Sequence, residues 1–233
     1  MSGHLNPGGQ QFRDDNGAAD PRVAQALAAY VAGEGSEQAA LTALSAARLL
    51  VPVVAVLADG SASGPSDKNS KNSEMVLPTL IGRDGRPAVL AFTCLDALAR
   101  WRSNARPVPA EADRVWRAAV ADGCAVVIDV AGPVPLAVEG ARLEALAGGQ
   151  PVPPPYSDPD VRAEVEAAVA AEPAIAGFTL TASSADETDL AIVLSLAVRD
   201  WERVVDRAAS SIAARLAGRL RRGIEFSVAQ ARG

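Results

Sequence analysis

The sequence has few of the residues that most often carry chemistry in small enzymes. Its 233 residues include one histidine, His4, and two cysteines, Cys94 and Cys124. Because a Cys–His zinc site takes three or four ligands, we expect no metal site of that kind. Two cysteines in apolar segments indicate free thiols in a reducing compartment and not a disulfide framework. We therefore expect a cytoplasmic protein that uses no metal and no cofactor.

Positive charge is also scarce. The 22 Lys and Arg residues are outnumbered by 28 Asp and Glu residues, which gives a net charge of −6. This balance repels phosphate backbones, so we expect no nucleic-acid binding beyond a local, ribosome-type contact. No apolar run approaches the roughly 18 residues of a membrane span. The N-terminus lacks the basic start and apolar run of a signal or transit peptide, and we expect no membrane association.

Aromatic residues make up only 4% of the chain, but hydrophobic residues make up 49%. This content is sufficient for packed cores. We predict an α/β protein, in which an N-terminal mixed-sheet domain with flanking helices precedes a smaller α-β-β-α-β domain. The predicted boundaries are a disordered tail over 1–19, the N-terminal domain over 20–147, a Pro-rich linker over 148–157 and the C-terminal α+β domain over 158–233.

Local patterns in the first half predict alternating helices and strands. In chain order these are a helix opened by Asp20-Pro21, a helix capped by Ser36, strands over 48–57, 74–81 and 87–92, helices from Thr93 and over 109–122, and strands over 124–130 and 135–140. Pro52 predicts that the first strand lies at a sheet edge or is bulged there. The Ser- and Asn-rich segment 58–73 predicts a mobile loop, and Asp84-Gly85 predicts a tight hairpin turn.

The second half begins with the same capping pattern. Asp158-Pro159 predicts a helix start. The elements that follow are strands over 177–183 and 189–198, a long helix over 200–222 that Gly223 caps, and a closing strand over 224–228.

Three segments of the first half follow one another in a recognisable order. They are VPVVAVL, VLPTLIGRDGRPAVLAFTCLDALARW and AVVIDVAGPVPLAVEG. This order resembles the N-terminal domain of the SseB family, the enhanced-serine-sensitivity proteins, over about residues 21–149. The matching residues are Leu77, Pro78, Phe92, Thr93, Leu95, Leu98 and Trp101, with Gly132-Pro133 at the last turn. The second half more faintly resembles the C-terminal domain of some members. The resemblance implies a fold and little chemistry.

Cys94 is the residue with the most potential for catalysis. It follows a strand and is expected in the first turn of a helix, where the helix dipole can activate a thiol. However, an Asp and no cation follows it, His4 lies in the tail, and SseB-type proteins commonly have Ser at this position. A small residue at a helix start is the favoured interpretation.

Acidic residues provide two further candidates. Asp129, near the end of a predicted strand, either faces a cleft or caps the following turn. Asp186, Glu187 and Asp189 form the densest acidic cluster, in and just after a loop. A solvated turn is favoured there over a cation site or acid–base chemistry.

Arginines gather near the C-terminal end of the long predicted helix. These are Arg215, Arg219, Arg221 and Arg222. They complement the negative end of a helix dipole, and a patch that docks a protein or contacts RNA is the alternative. In the N-terminal domain the candidate binding residues are Leu77, Pro78, Phe92, Thr93, Trp101 and Asp129.

Three functions remain open from the sequence. The first is a non-catalytic interaction or regulatory module, in which a groove between the domains or an edge strand binds a protein partner. The second is a sulfur-transfer enzyme that depends on Cys94. The third is a translation-associated accessory factor, because SseB relatives from GC-rich genomes are often encoded near translation initiation factor three.

Overall fold

A computed structural model of the chain describes residues 12, 15–57, 73–82, 85–132, 135–183, 188–196 and 201–230. Contacts between Cα atoms divide the chain into two compact units. Unit 1 contains Met1–Pro21 and Ala46–Glu139, and unit 2 contains Arg22–Ser45 and Gly140–Gly233. The first two helices are thus grouped with the C-terminal half of the chain. The sequence-based linker at 148–157 stays a prediction.

The described residues form seven α-helices and ten strands, which confirms the α/β class. The helices are α1 (Pro21–Ala32), α2 (Glu37–Leu44), α3 (Leu95–Trp101), α4 (Ala112–Ala121), α5 (Gly140–Ala147), α6 (Pro159–Val169) and α7 (Glu202–Leu216). The strands are β1 (Arg48–Leu57), β2 (Ser73–Val76), β3 (Thr79–Ile81), β4 (Pro87–Ala91), β5 (Arg106–Glu111), β6 (Ala125–Ile128), β7 (Leu136–Val138), β8 (Ile175–Thr181), β9 (Leu190–Leu196) and β10 (Ile224–Gln230).

Unit 1 contains two sheets. One has the strand order β2-β1-β5 and the other β3-β4-β6-β7. In the second sheet β4 and β6 run parallel and the outer pairs run antiparallel, so the sheet is mixed, as the sequence predicts. Leu50 of β1 and Phe92, just after β4, exchange two backbone hydrogen bonds of 2.8 and 2.9 Å. This bridge ties the two sheets together within one core.

Two differences from the sequence-based prediction in this unit concern strands that contain proline. β1 is the central strand of its sheet, with an unbroken register to β5, so the predicted edge or bulge at Pro52 is wrong. Leu50 hydrogen-bonds to Phe92 on the side of β1 that faces away from β5. Every second residue of a strand directs its backbone groups to the same side, so the backbone of Pro52 also faces away from β5. β2 begins to pair only at Val54, so no ladder bond is lost at Pro52. β5 contains Pro107 and runs to Glu111, so it includes the first residues of the helix that the sequence predicts over 109–122.

The predicted strand over 74–81 is two strands in two sheets. β2 pairs with β1, whereas β3 pairs with β4. Leu77 and Pro78 form the connection between them, because proline cannot continue a ladder. In the predicted turn between β3 and β4, Gly85 has φ +79° and its amide donates to the carbonyl of Gly82 over 3.0 Å, while Asp84 lies outside the described residues. The predicted loop over 58–73 lies, up to residue 72, outside the described residues.

Unit 2 has one sheet, of order β10-β9-β8, covered on one face by α6 and α7. The element order α6-β8-β9-α7-β10 is the predicted α-β-β-α-β order. β9 alternates buried and half-buried residues, as expected for a sheet with one covered face. Leu194 and Ile212, both fully buried, are in the core between the sheet and the helices.

Helix α7 is shorter than predicted, because it ends at Leu216 and not at Arg222. The amides of Arg219 and Leu220 both donate to the carbonyl of Leu216, each over 2.9 Å. This tight turn ends the helix and returns the Leu220 side chain to the core. Gly223, with φ +98°, therefore precedes β10 and does not cap a helix.

Candidate functional site

A groove with a volume of ≈ 460 Å³ lies within unit 2. Val31 and Ala32 at the end of α1 form one wall, and Ala213 and Leu216 of α7 with the C-cap residue Ala217 form another. The helix residues are small or aliphatic. Ala213 and Ala217 are exposed, so this wall faces solvent without a large side chain to cover it.

The segment after α7 and the start of β10 complete the groove. Leu220, Arg221, Ile224 and Phe226 contribute to this surface. Ile224 and Phe226 are two residues apart on a strand and therefore share a face, the same face that packs on the core of unit 2. Arg221 is the single charged side chain among the described residues that line the groove.

Arg221 lies on the ring of Tyr30. The guanidinium carbon is 5.1 Å from the ring centroid, a cation–π distance. Tyr30 is buried, and its hydroxyl donates to the carbonyl of Gly218 over 2.9 Å. Burial, reinforced by the nearby charge of Glu37, raises the pKa of the Tyr30 hydroxyl, so it stays a neutral donor. The ring is thereby fixed beneath the guanidinium.

The arginines on either side of Arg221 have carboxylate partners. Arg219 donates to Asp158 over 2.6 Å, and Arg222 donates to Asp189 over 3.0 Å. Within the part of the chain that the structure describes, Arg221 contacts no carboxylate. Its charge is thus presented at the groove.

A buried ionic network supports this part of unit 2. Glu37, only 6% exposed, accepts from Arg142 of α5 and, over 3.3 Å, from Arg219. Burial raises the pKa of the Glu37 carboxyl, although both arginines oppose the shift. Burial disfavours the charged form of Arg219, but Glu37 and Asp158 together raise its pKa above the ordinary range. Asp158 also caps α6 by accepting from the amide of Asp160 over 2.8 Å.

β10 lies at the edge of its sheet, next to this groove. β9 pairs with one side of the strand, and no other described strand pairs with the opposite side. Glu225 and Ser227 are exposed on the face away from the helices. An unpaired edge of this kind presents backbone N–H and C=O groups to which another extended segment can add.

The predicted basic patch is dispersed by pairing. Arg215 donates to Glu164 of α6 over 2.9 Å, while Arg219 and Arg222 are paired as described above. Contrary to expectation, Arg219, Arg221 and Arg222 follow α7 and are not in its last turn. A partner-binding role for the patch as a whole stays a prediction.

In unit 1, Thr93 and Asp129 meet at the carboxyl ends of the parallel strands β4 and β6. The Asp129 carboxylate accepts from the Thr93 amide over 2.9 Å and from the Thr93 hydroxyl over 2.7 Å. Burial raises the pKa of the Asp129 carboxyl, while the two bonds from Thr93 lower it. Asp129 has φ +49°, the one positive φ at a non-glycine residue in the described chain. Both oxygens are occupied, so Asp129 acts as a cap.

An ion pair extends this junction to the N-terminal segment. Arg48 of β1 donates to the carbonyl of Thr93 over 3.0 Å and lies 2.9 Å from the carboxylate of Asp15. The amide of Leu95 donates to the carbonyl of Gly17 over 2.9 Å. The last residues of the predicted tail therefore have defined contacts in unit 1.

Both cysteines are free thiols of intermediate exposure. Cys94 is the N-cap of α3, one position before its expected place, and its sulfur accepts from the amide of Ala97 over 3.4 Å. His4 lies outside the described residues. Burial, with a contribution from Asp122, raises the pKa of the Cys124 thiol, which disfavours the thiolate.

The remaining candidates of unit 1 lie at the same end of the four-stranded sheet. The Phe92 and Trp101 rings are 5.6 Å apart, with the guanidinium of Arg102 5.4 Å from the Trp101 ring. Leu77 and Pro78 precede β3, whose antiparallel pairing places them near the carboxyl end of β4. A shared binding role for these residues stays a prediction.

The acidic cluster is only partly described. Asp186 and Glu187 lie outside the described residues. Asp189 accepts from both the amide and the side chain of Arg222. The Asp189 side chain is only 2% exposed, so it holds the turn before β10 from the interior, and the predicted solvated turn is wrong for this residue.

Sequence reasoning missed the residues that organise the groove. Asp158 is recognised only as a helix cap, and Glu37 and Arg142 are not recognised at all. Arg142 offers one signal, because it shares a helix face with the buried Leu146 four positions on. Glu37 offers none, since an acid in a first helical turn is ordinarily solvated.

The described ranges, with their gaps, contain neither a candidate metal site nor a helix suited to span a membrane. They contain no group of three His, Cys, Asp or Glu residues placed to hold a metal ion. No helix there combines the length and apolar character that crossing a membrane requires.

Comparison with known proteins identifies the first half. A family model described as the SseB protein N-terminal domain matches residues 23–145. A search of curated proteins and a search of solved structures each returned no match. The match ends before the second half, where the fainter C-terminal resemblance stays a prediction. Because the matched residues make up more than half of the sequence, the chain belongs to the SseB family.

Proposed function

We propose that this SseB-family chain is a non-catalytic protein-interaction module, and that a partner segment binds along β10 and in the groove of unit 2. The observation that carries the proposal is the position of an unpaired edge strand beside an apolar groove. A cytoplasmic location, expected from the free thiols, belongs to the same proposal.

The edge suits the addition of an extended strand. β10 has seven residues, enough for several main-chain hydrogen bonds to an added segment. In an added strand alternate side chains point to opposite faces. Those on the face of Ile224 and Phe226 would enter the groove, which gives the site a means of selecting its partner.

The titratable groups near both candidate sites support binding over chemistry. Glu37, Asp158 and Asp189 hold arginines within unit 2. In unit 1 both oxygens of Asp129 are held by Thr93. These carboxylates serve the fold and leave little capacity for proton transfer.

Filling the groove tests the proposal. Ala213→Trp places an indole in the groove from an exposed helical position, and Ala214→Trp makes the same change on the neighbouring exposed residue that does not line it. Affinity capture with the full chain, followed by mass spectrometry, should recover partners with the wild type and with Ala214→Trp but lose them with Ala213→Trp. An identical set of partners for all three proteins would refute the proposal.

A further inference from the structure

We infer that the groove selects a partner segment in which one acidic side chain lies among aliphatic ones, and that Arg221 binds the carboxylate of that side chain. The inference rests on the proposed function and goes beyond it by naming the chemistry of the bound segment.

The first support is the position of an uncompensated charge. Arg219 and Arg222 donate to carboxylates of the chain, whereas Arg221 lines the groove without one among the described residues. A segment bound in the groove would displace water from the guanidinium. Because an unpaired buried charge is costly, the bound segment must itself provide an acceptor.

The second support is the character of the surrounding wall. Val31, Ile224 and Phe226, all partly exposed, offer apolar surface to the same groove. Burying aliphatic side chains against such a wall stabilises the complex by about 25 cal/mol per Å² of apolar surface removed from water. A uniformly acidic segment would leave this surface uncovered, whereas an aliphatic segment with one acid satisfies both the wall and the cation.

The third support is the preorganisation of Arg221. Its guanidinium lies over the Tyr30 ring, and the Tyr30 hydroxyl is anchored on Gly218. A planar guanidinium that is already held in place loses less freedom when it binds a carboxylate in a forked geometry.

The charge of the whole chain limits how acidic the partner can be. At a net charge of −6, the protein repels a run of acidic residues and also a polyphosphate backbone. A single acid next to Arg221 is attracted locally, because contact distances are shorter than the screening length of about 8 Å at physiological salt. We therefore expect one acidic residue in each bound segment.

Selection from a phage-displayed random peptide library provides the test, with the immobilised full chain as target. Peptides enriched on the wild type should carry one Asp or Glu flanked by aliphatic residues. Their affinity should fall about 10- to 100-fold for Arg221→Gln, because a neutral amide cannot replace the charge-assisted hydrogen bonds of the guanidinium. Replacing the peptide acid by its amide should cause the same loss, and combining both changes should add little.

Matched variants separate the possible results. Arg203→Gln removes an exposed arginine of α7 that does not line the groove and should leave affinity unchanged. If Arg221→Gln lowers the melting temperature, Arg221→Lys replaces it, and its weaker binding should still depend on the peptide acid. Enriched peptides that lack an acid, and that lose binding with Ala213→Trp but not with Arg221→Gln, would overturn the inference and leave the proposed function standing. If no enriched peptide depends on Ala213, the proposed function fails and the inference fails with it.

Discussion

Arg219 and Asp158 lie 61 residues apart in the sequence, yet the guanidinium donates to the carboxylate over 2.6 Å in the interior of unit 2. The Asp158 side chain has no exposed surface, and Arg219 also contacts Glu37 of α2. The pair thus joins the turn after α7 to the start of α6. Arg221 lies two residues beyond Arg219, so this junction sets the position of the groove.

Asp158 should contribute to stability in two separable ways. Asp158→Asn keeps an N-cap acceptor but removes the charge, and we expect a loss of about 3 kcal/mol in the free energy of unfolding because Arg219 loses its buried partner. Asp158→Ala should lose about 1 kcal/mol more, the cost of the cap. Urea denaturation measures both. Glu164→Gln, which breaks the exposed pair with Arg215, should cost less than about 1 kcal/mol. Equal losses at the two sites would contradict the burial argument.

Asp129 should make stability depend on pH. Burial raises the pKa of this carboxyl above its ordinary value of 3.8. At a pH between 3.8 and the pKa in the folded chain, the folded chain therefore keeps a proton that the unfolded chain releases. Its contribution to the free energy of unfolding is therefore complete below pH 3.8 and is lost as the pH rises through the folded pKa.

Asp129→Asn removes that titration. The stability of the variant relative to the wild type should then increase with pH across the window, as measured by urea denaturation at several pH values. Thr93→Val removes the hydroxyl hydrogen bond that lowers the pKa of Asp129. The pH range over which the contribution of Asp129 is lost should therefore extend to higher pH. A relative stability that decreases with pH would show that the shift has the opposite sign.

Gly17 should be required for the contact between the N-terminal segment and α3. It has φ +72°, and a Cβ there would lie 2.3 Å from Cδ1 of Leu95. Gly17→Ala should therefore accelerate hydrogen exchange at the Leu95 amide, which donates to Gly17. Gly85→Ala is the control, because Gly85 has a similar φ of +79° and no atom within 4 Å of its Cβ position. Unchanged exchange at Leu95 would argue that the segment is not held there.

Cys94 should behave as a helix cap. Serine is a better acceptor at an N-cap than a thiol, so Cys94→Ser should match the wild type or exceed it in stability. Cys94→Ala should lose about 0.5–1 kcal/mol, because the amide of Ala97 loses its acceptor. Urea denaturation distinguishes the two variants. A serine variant as unstable as the alanine variant would contradict a capping role.

Local signals account for most of what the sequence predicts well. The cap at Asp158, the glycine turn at Gly85 and the strand β9 depend on neighbours in the chain, and each has its predicted place. The order of elements in the second half follows from the same patterns. Such local patterns were enough to predict the class of fold and the family resemblance of the first half.

Long-range pairing accounts for what the sequence does not predict. The sequence pattern assigns Pro109 to a helix start, but this residue lies in β5, which is a strand because β1 pairs with it. The end of α7 is set by the burial of Leu220 in the core. The partners of Arg219 lie in α2 and before α6, far away in sequence. No local pattern marks Tyr30 and Arg221 as neighbours.

Hydrogen–deuterium exchange of the full chain, with and without a peptide enriched on the wild type, tests the central claim most directly. If the peptide adds to β10, exchange should slow over residues 224–230 and in the adjoining part of α7, Ala213→Trp should abolish the effect, and Arg221→Gln should weaken it at the same peptide concentration. Protection confined to the end of the unit 1 sheet, around Thr93 and Asp129, would contradict the account.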